Sequence, residues 1–164
     1  MPARAGAPLA VAAAGDRQVS DRALLLAHAV LGFGALFAGT HHAAHAVLSA
    51  LGRPQARALR RFGWIAPVAV IAQALCGLAI YPAYRLRVRA PDFDLYAPAV
   101  AQLFDFKEHL SALALALVIG ASVAGRSDDT PEARWPIAAL SSTGAAFLWA
   151  AALIGLYVTA RHPL

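Results

Sequence analysis

Long uncharged apolar runs alternate along this chain with short clusters of charge. With histidine taken as neutral, no charge falls between Arg22 and Arg53, from Phe62 to Tyr84, from His109 to Gly125, or from Trp135 to Ala160. A helix that crosses a bilayer needs about 20 mostly apolar residues. Three of the runs meet this outright. The third reaches it by extending back through Phe106 and Leu103, which brings the charges of "DFKEH" into its first turns. In lipid every backbone polar group must be satisfied internally, so the runs are read as helices. The pattern predicts spans at roughly 24–51, 62–84, 99–124 and 136–160. The fold class is therefore all-α, a membrane-embedded antiparallel four-helix bundle over residues 22–162, preceded by a tail at 1–21.

Local signals place the boundaries. Ser20 or Asp21 suits the N-cap of the first helix, and "LGRP" stops it with Gly52 and Pro54. Pro136 suits the first turn of the fourth helix. The stretch "RLRVRAPDFDLYAPAVAQ" (85–102) is predicted to be a longer polar excursion between the second and third spans. The first 21 residues are rich in Ala, Gly and Pro and are expected to be disordered. Their apolar piece "APLAVAAAG" is a weak signal-peptide core, outweighed by the strong span that follows.

Composition narrows the chemistry. The chain is 60% hydrophobic, too apolar for an ordinary soluble domain. Its net charge of +5 sits mostly at helix ends, where arginines anchor to headgroups, and it is not read as a nucleic-acid surface. Cys76 is the single cysteine, so no disulfide within the chain, CxxC zinc site or covalent haem attachment is possible. The single methionine is Met1, which removes thioether copper ligation.

The histidines are the first candidate chemistry. Three of six lie in "GTHHAAH" (39–45), at His41, His42 and His45. His28 and His42 are fourteen residues apart, so they face within about 40° of each other and lie about 21 Å apart along the axis. This H-x13-H spacing resembles the ladder by which four-helix membrane cytochromes of the b type hold two haems. Depth decides the partner: His28 and His109 both fall in first turns on the terminal side, and are expected to be axial ligands of a haem b. His41 and His45 share one helix surface at i, i+4, a spacing a divalent metal uses. With His42 they form a possible open metal site or, as the alternative, interfacial polar groups with no cross-helix histidine.

A second polar cluster joins "YPAYRLRVR" (81–89) to "FDFKEH" (104–109). Asp105 shares a helix face with Glu108 and His109. Arg85, Arg87 and Arg89 are positioned to pair with Asp105 and Glu108, because unpaired charge near hydrocarbon is costly. The expectation is either a salt-bridge clasp closing the hairpin, centred on Arg85 or Arg87 with Glu108, or a polar pocket walled by Tyr81 and Tyr84. In the haem reading Arg85 and Arg87 hold propionates, while Asp105 and Glu108 fix a histidine tautomer or shuttle a proton. One carboxylate cluster is too few for a di-iron site. No nucleophile-elbow, zinc-protease or phosphate-loop motif is present, so no catalytic residue is assigned.

The same two motifs, behind a histidine-bearing first helix, resemble a group of small, uncharacterised bacterial membrane proteins with four predicted spans. The resemblance runs over roughly residues 24–125 and rests on Tyr81, Pro82, Tyr84, Arg85, Arg87, Lys107, Glu108 and His109. It implies the architecture and a bacterial inner (cytoplasmic) membrane, and it implies no activity. An even number of spans puts both termini on one side. Eight basic residues on that side against six on the other lean towards cytoplasmic termini. Function is expected to be a b-type haem electron-transfer subunit serving a quinol or a redox partner protein. The alternatives are a cofactor-free membrane accessory, assembly or small-molecule-binding protein, or a membrane enzyme or transporter with a proton relay.

Overall fold

The computed structural model describes residues 7–127 and 130–161, with side chains from Arg22 onward. Four long helices dominate: α1 (Ala7–Ala50), α2 (Ala56–Tyr84), α3 (Pro98–Ser127) and α4 (Arg134–Arg161). No strand occurs among the described residues. All four helices are long and apolar enough to cross a membrane, so the chain is an integral membrane protein in architecture. The backbone of α1 continues to Ala7, through most of the stretch expected to be a disordered tail. Residues 1–6, which complete that tail, lie outside the described residues.

The connectors show why the helices stop where they do. At the end of α1, Gly52 takes φ 81°, a conformation that only glycine adopts without strain. Its N–H donates to the Ser49 carbonyl and the Arg53 N–H to the Leu48 carbonyl, both at 3.0 Å. This is the Schellman pattern that satisfies the last carbonyls of a helix, and Pro54 then prevents continuation. Ala97, at φ −143° and ψ 57°, breaks the chain before Pro98. Its carbonyl accepts from Val100 and Ala101, and so opens α3.

The expected polar excursion is instead helical. After Tyr84 the chain passes into wider π-type turns over Arg85–Phe93, then a three-residue α piece, Asp94–Tyr96. The Asp94 N–H donates to the Arg89 carbonyl, five residues back, which defines the register. The extra residue per turn lets Val88 and Phe93 point inward together, where they pack with Ala101 and Val158. Hydrophobic contact therefore recruits a segment whose charge suggested solvent. Tyr84 and Phe104 close over this cluster.

The helices form a ring in the order α1, α2, α3, α4, with the α3–α4 and α1–α2 seams the most extensive and α2–α3 the least. The core is stacked in three tiers. Val88, Phe93, Ala101 and Val158 occupy the terminal side. Ala35, Ala38, Ala66, Val70, Ala114, Val118 and Leu148 fill the centre. Ala46, Ile137 and Ala138 lie at the connector end. Alanine supplies most buried apolar positions, so the helices approach closely. Gly39 and Gly144 serve the same end: a Cβ at Gly144 would lie 3.3 Å from Leu117 Cβ, and one at Gly39 would meet Leu148. Large side chains such as Phe33, Phe37, Leu78 and Leu153 face outward, as lipid contact requires.

Candidate functional site

The least extensive seam, α2–α3, borders an opening in the bundle. A cavity of about 580 Å³ lies on the terminal side of the bundle, bordered by all four helices and the π-type turns. Leu25, Val70, Leu78, Leu115, Leu148 and Val158 give it apolar walls. Polar groups enter in two places. His28 and Gln73 meet in its interior, while Arg22, Arg87 and Glu108 also border it.

His28 projects from α1 towards α2. Gln73 Nε2 lies 3.3 Å from His28 Nε2. An amide nitrogen only donates, so His28 Nε2 accepts and the ring proton sits on Nδ1. That Nδ1 is buried without a hydrogen-bond partner. The ring fits because residue 77 is glycine: a Cβ there would fall 3.0 Å from His28 Cε1. Tyr84 also lines the cavity, and its hydroxyl is likewise buried and unpartnered. The Tyr84 ring stacks on Phe104 at 4.3 Å between centroids, and Tyr81 stacks on the same ring at 6.5 Å. Buried polar atoms nearly always have partners, so two orphans bordering one cavity mark a place for a ligand or water.

His109 lies elsewhere. It is exposed on α3, one of its ring nitrogens lies 2.7 Å from the Asp105 carbonyl of its own helix, and it does not line the cavity. The i−4 carbonyl captures the ring and holds it along the helix surface. A bis-histidine haem needs both imidazoles in one cavity, and among the described residues the lining supplies only His28. The expected axial pair is thus not assembled.

Of the expected pairings, that of Arg89 with Asp105 forms the clasp. Arg89 donates from both terminal nitrogens to Asp105, at 2.6 and 2.9 Å, and its Nε reaches Asp94 at 3.3 Å. The π-type turns rotate Arg89 onto α3. Arg85 is left exposed, and Arg87 borders the cavity together with Glu108. Lys107 turns the other way, with Nζ 4.9 Å from the centre of the Phe104 ring and its stem against Gly155.

The histidine triplet separates onto two surfaces. His41 and His45 stack on Phe62 of α2, with centroids 5.1 and 5.5 Å away. His45 Nδ1 is also 2.8 Å from Gln55 Oε1, which ties it to the start of α2. His42, one residue round the helix, is buried and faces a cleft at the connector end. Among the described residues no group of three or more His, Cys, Asp or Glu side chains is placed to hold a metal ion. A 100° step per residue sends His42 away from its neighbours, so the expected three-histidine site does not form.

Gln73 and the arginines of the connector end were not among the expected site residues. Gln73 had a legible signal, as an amide isolated within an apolar span. Arg126 and Arg134 lie in different helices, and nothing local in the sequence joins them. No family model, no curated protein and no solved structure matches this chain.

Proposed function

We propose that this integral membrane protein binds a small amphiphilic molecule drawn from the bilayer, in the cavity bordered by all four helices. The single observation that carries this reading is the pair of buried, unpartnered polar atoms, His28 Nδ1 and the Tyr84 hydroxyl, beside one apolar-walled cavity of about 580 Å³. Mostly apolar walls with a few converging polar groups are what a small-molecule site requires. The tautomer set by Gln73 makes His28 a donor, so the favoured ligand carries an acceptor oxygen. A quinone-type ring with an apolar tail has that chemistry. The cofactor-free binding role is thereby favoured over a haem subunit, since a haem b here would have His28 as its one histidine ligand among the described residues.

The test uses the full chain purified in detergent and a short-chain alkyl benzoquinone. Saturable thermal stabilisation is expected for the wild type. It should be abolished by Ala74→Phe, which fills the cavity, and weakened by His28→Leu. Ala139→Phe, on the exposed face of α4, should respond as wild type does. Equal responses from Ala74→Phe and Ala139→Phe would overturn the assignment. A reduced-minus-oxidised spectrum with a sharp α-band, lost in His28→Leu, would restore the haem reading.

A further inference from the structure

At the connector end, where α1 leads into α2 and α3 into α4, a second cleft of about 590 Å³ opens, separate from the first in its lining. Its charged lining is cationic, with Ser49 and Ser122 as neutral polar neighbours. Arg60 of α2, Arg126 of α3 and Arg134 of α4 border it with His42 of α1, and no carboxylate among the described residues does. Arg126 is fixed from two sides: Nη2 donates to the Gly63 carbonyl at 2.6 Å, and the guanidinium lies 3.5 Å from the centre of the Trp64 ring. Arg134 Nε is buried with no hydrogen-bond partner. Glu132 is exposed and borders no part of the cleft. Asp128 and Asp129 lie outside the described residues.

Three guanidinium groups converging on one cleft repel each other, and an orphaned Arg134 Nε adds a desolvation cost. An anion between them removes both penalties. The planar fork of arginine matches the oxygens of a phosphate through paired hydrogen bonds. Arg134 also opens α4, whose amino-terminal dipole favours negative charge at that point. We infer that this cleft is a binding site for a phosphate-type anion, held by Arg60, Arg126 and Arg134. The same chemistry is offered by a soluble phosphate and by the phosphate of an anionic lipid headgroup.

The experiment uses the full chain in nonionic detergent, titrated with inorganic phosphate and followed by thermal shift. In parallel, native mass spectrometry reads retention of phosphatidylglycerol against phosphatidylcholine from mixed bilayer discs. Arg134→Gln and Arg60→Gln should each weaken binding by about tenfold or more, through loss of charge-assisted hydrogen bonds. Arg57→Gln, exposed and off the cleft, should change it little. Arg60 is itself exposed, so its variant folds even if Arg134→Gln does not. Stabilisation by inorganic phosphate that both cleft variants lose identifies a soluble phosphate as ligand. Phosphatidylglycerol retention that both lose, with no response to inorganic phosphate, identifies the headgroup. The inference is overturned if neither probe binds, or if Arg57→Gln weakens binding as much as Arg60→Gln does. It is also overturned if phosphate binds only after Asp128→Asn with Asp129→Asn, because the loop's own carboxylates then fill the site.

Discussion

Replacing Asp105 by Asn tests which ion pair closes the junction of α2 and α3. The substitution keeps the shape and one acceptor oxygen but removes the charge that holds Arg89 at 2.6 and 2.9 Å. The side chains of Arg89 and Asp105 are 20% and 43% exposed, so the pair lies between two regimes. Fully exposed pairs contribute about 0.2–1 kcal/mol, whereas breaking a buried pair costs about 3–5 kcal/mol. Water screens Asp105, and Asp94 remains within 3.3 Å of Arg89, so the loss lies just above the exposed range and well below the buried one. A loss of about 1–1.5 kcal/mol is expected. In a chain of this size that is a fall of about 2–6 °C in melting temperature, measured in detergent by circular dichroism. Glu108→Gln should cost less than about 0.5 kcal/mol, as an exposed side chain without a direct ion pair to Arg89. Exchanging the charges, Arg89→Asp with Asp105→Arg, should recover part of the loss. A larger fall for Glu108→Gln than for Asp105→Asn would refute the reasoning and return the clasp to Arg85 or Arg87.

Three further outcomes are expected. Gly144→Leu should destabilise by about 1–3 kcal/mol in the same assay, because Leu117 Cβ and Val118 leave no room for a side chain. Gly120→Leu, where a Cβ meets nothing within 4 Å, should be tolerated, and equal losses would refute close α3–α4 packing at Gly144. Phe62→Leu should cost about 1 kcal/mol through lost stacking on His41 and His45, and zinc should not stabilise the wild type; zinc stabilisation lost in His41→Ala would reinstate a metal site. His109→Ala should leave both the melting temperature and the quinone response unchanged, since its ring bonds only its own helix. A lost quinone response in a folded variant would place His109 at the ligand.

The spans were legible because lipid imposes a simple demand on sequence, and the runs that begin after Arg22 and Phe62 satisfy it by length and apolarity alone. The Gly52–Pro54 stop was equally legible, since it rests on local backbone geometry. The segment Arg85–Phe93 reads as an excursion because its charges outweigh Val88 and Phe93 in the pattern, although those two side chains decide the packing. Within the candidate site, Tyr81, Tyr84, Arg87 and Glu108 could be placed together from proximity to one hairpin. His28 and His109 could be matched in depth but not in rotation about their helix axes. That rotation depends on seams made of alanine and glycine, which carry almost no directional signal in the sequence. For the same reason the convergence of Arg60, Arg126 and Arg134 could not be read from their positions along the chain.

The predominance of alanine at the buried positions also dictates where this chain tolerates mutation. In a core of leucine and phenylalanine, truncation is the damaging change, and an alanine scan maps the interior. Here such a scan would be silent at Ala35, Ala38, Ala66, Ala114 and Ala121, where the wild type already carries the scanning residue. Damage comes from enlargement, because each added methylene must separate two helix backbones rather than occupy a void. A deep mutational map of this protein would therefore appear inverted. Its most intolerant sites would be its smallest residues, and its bulky lipid-facing side chains would exchange freely with one another.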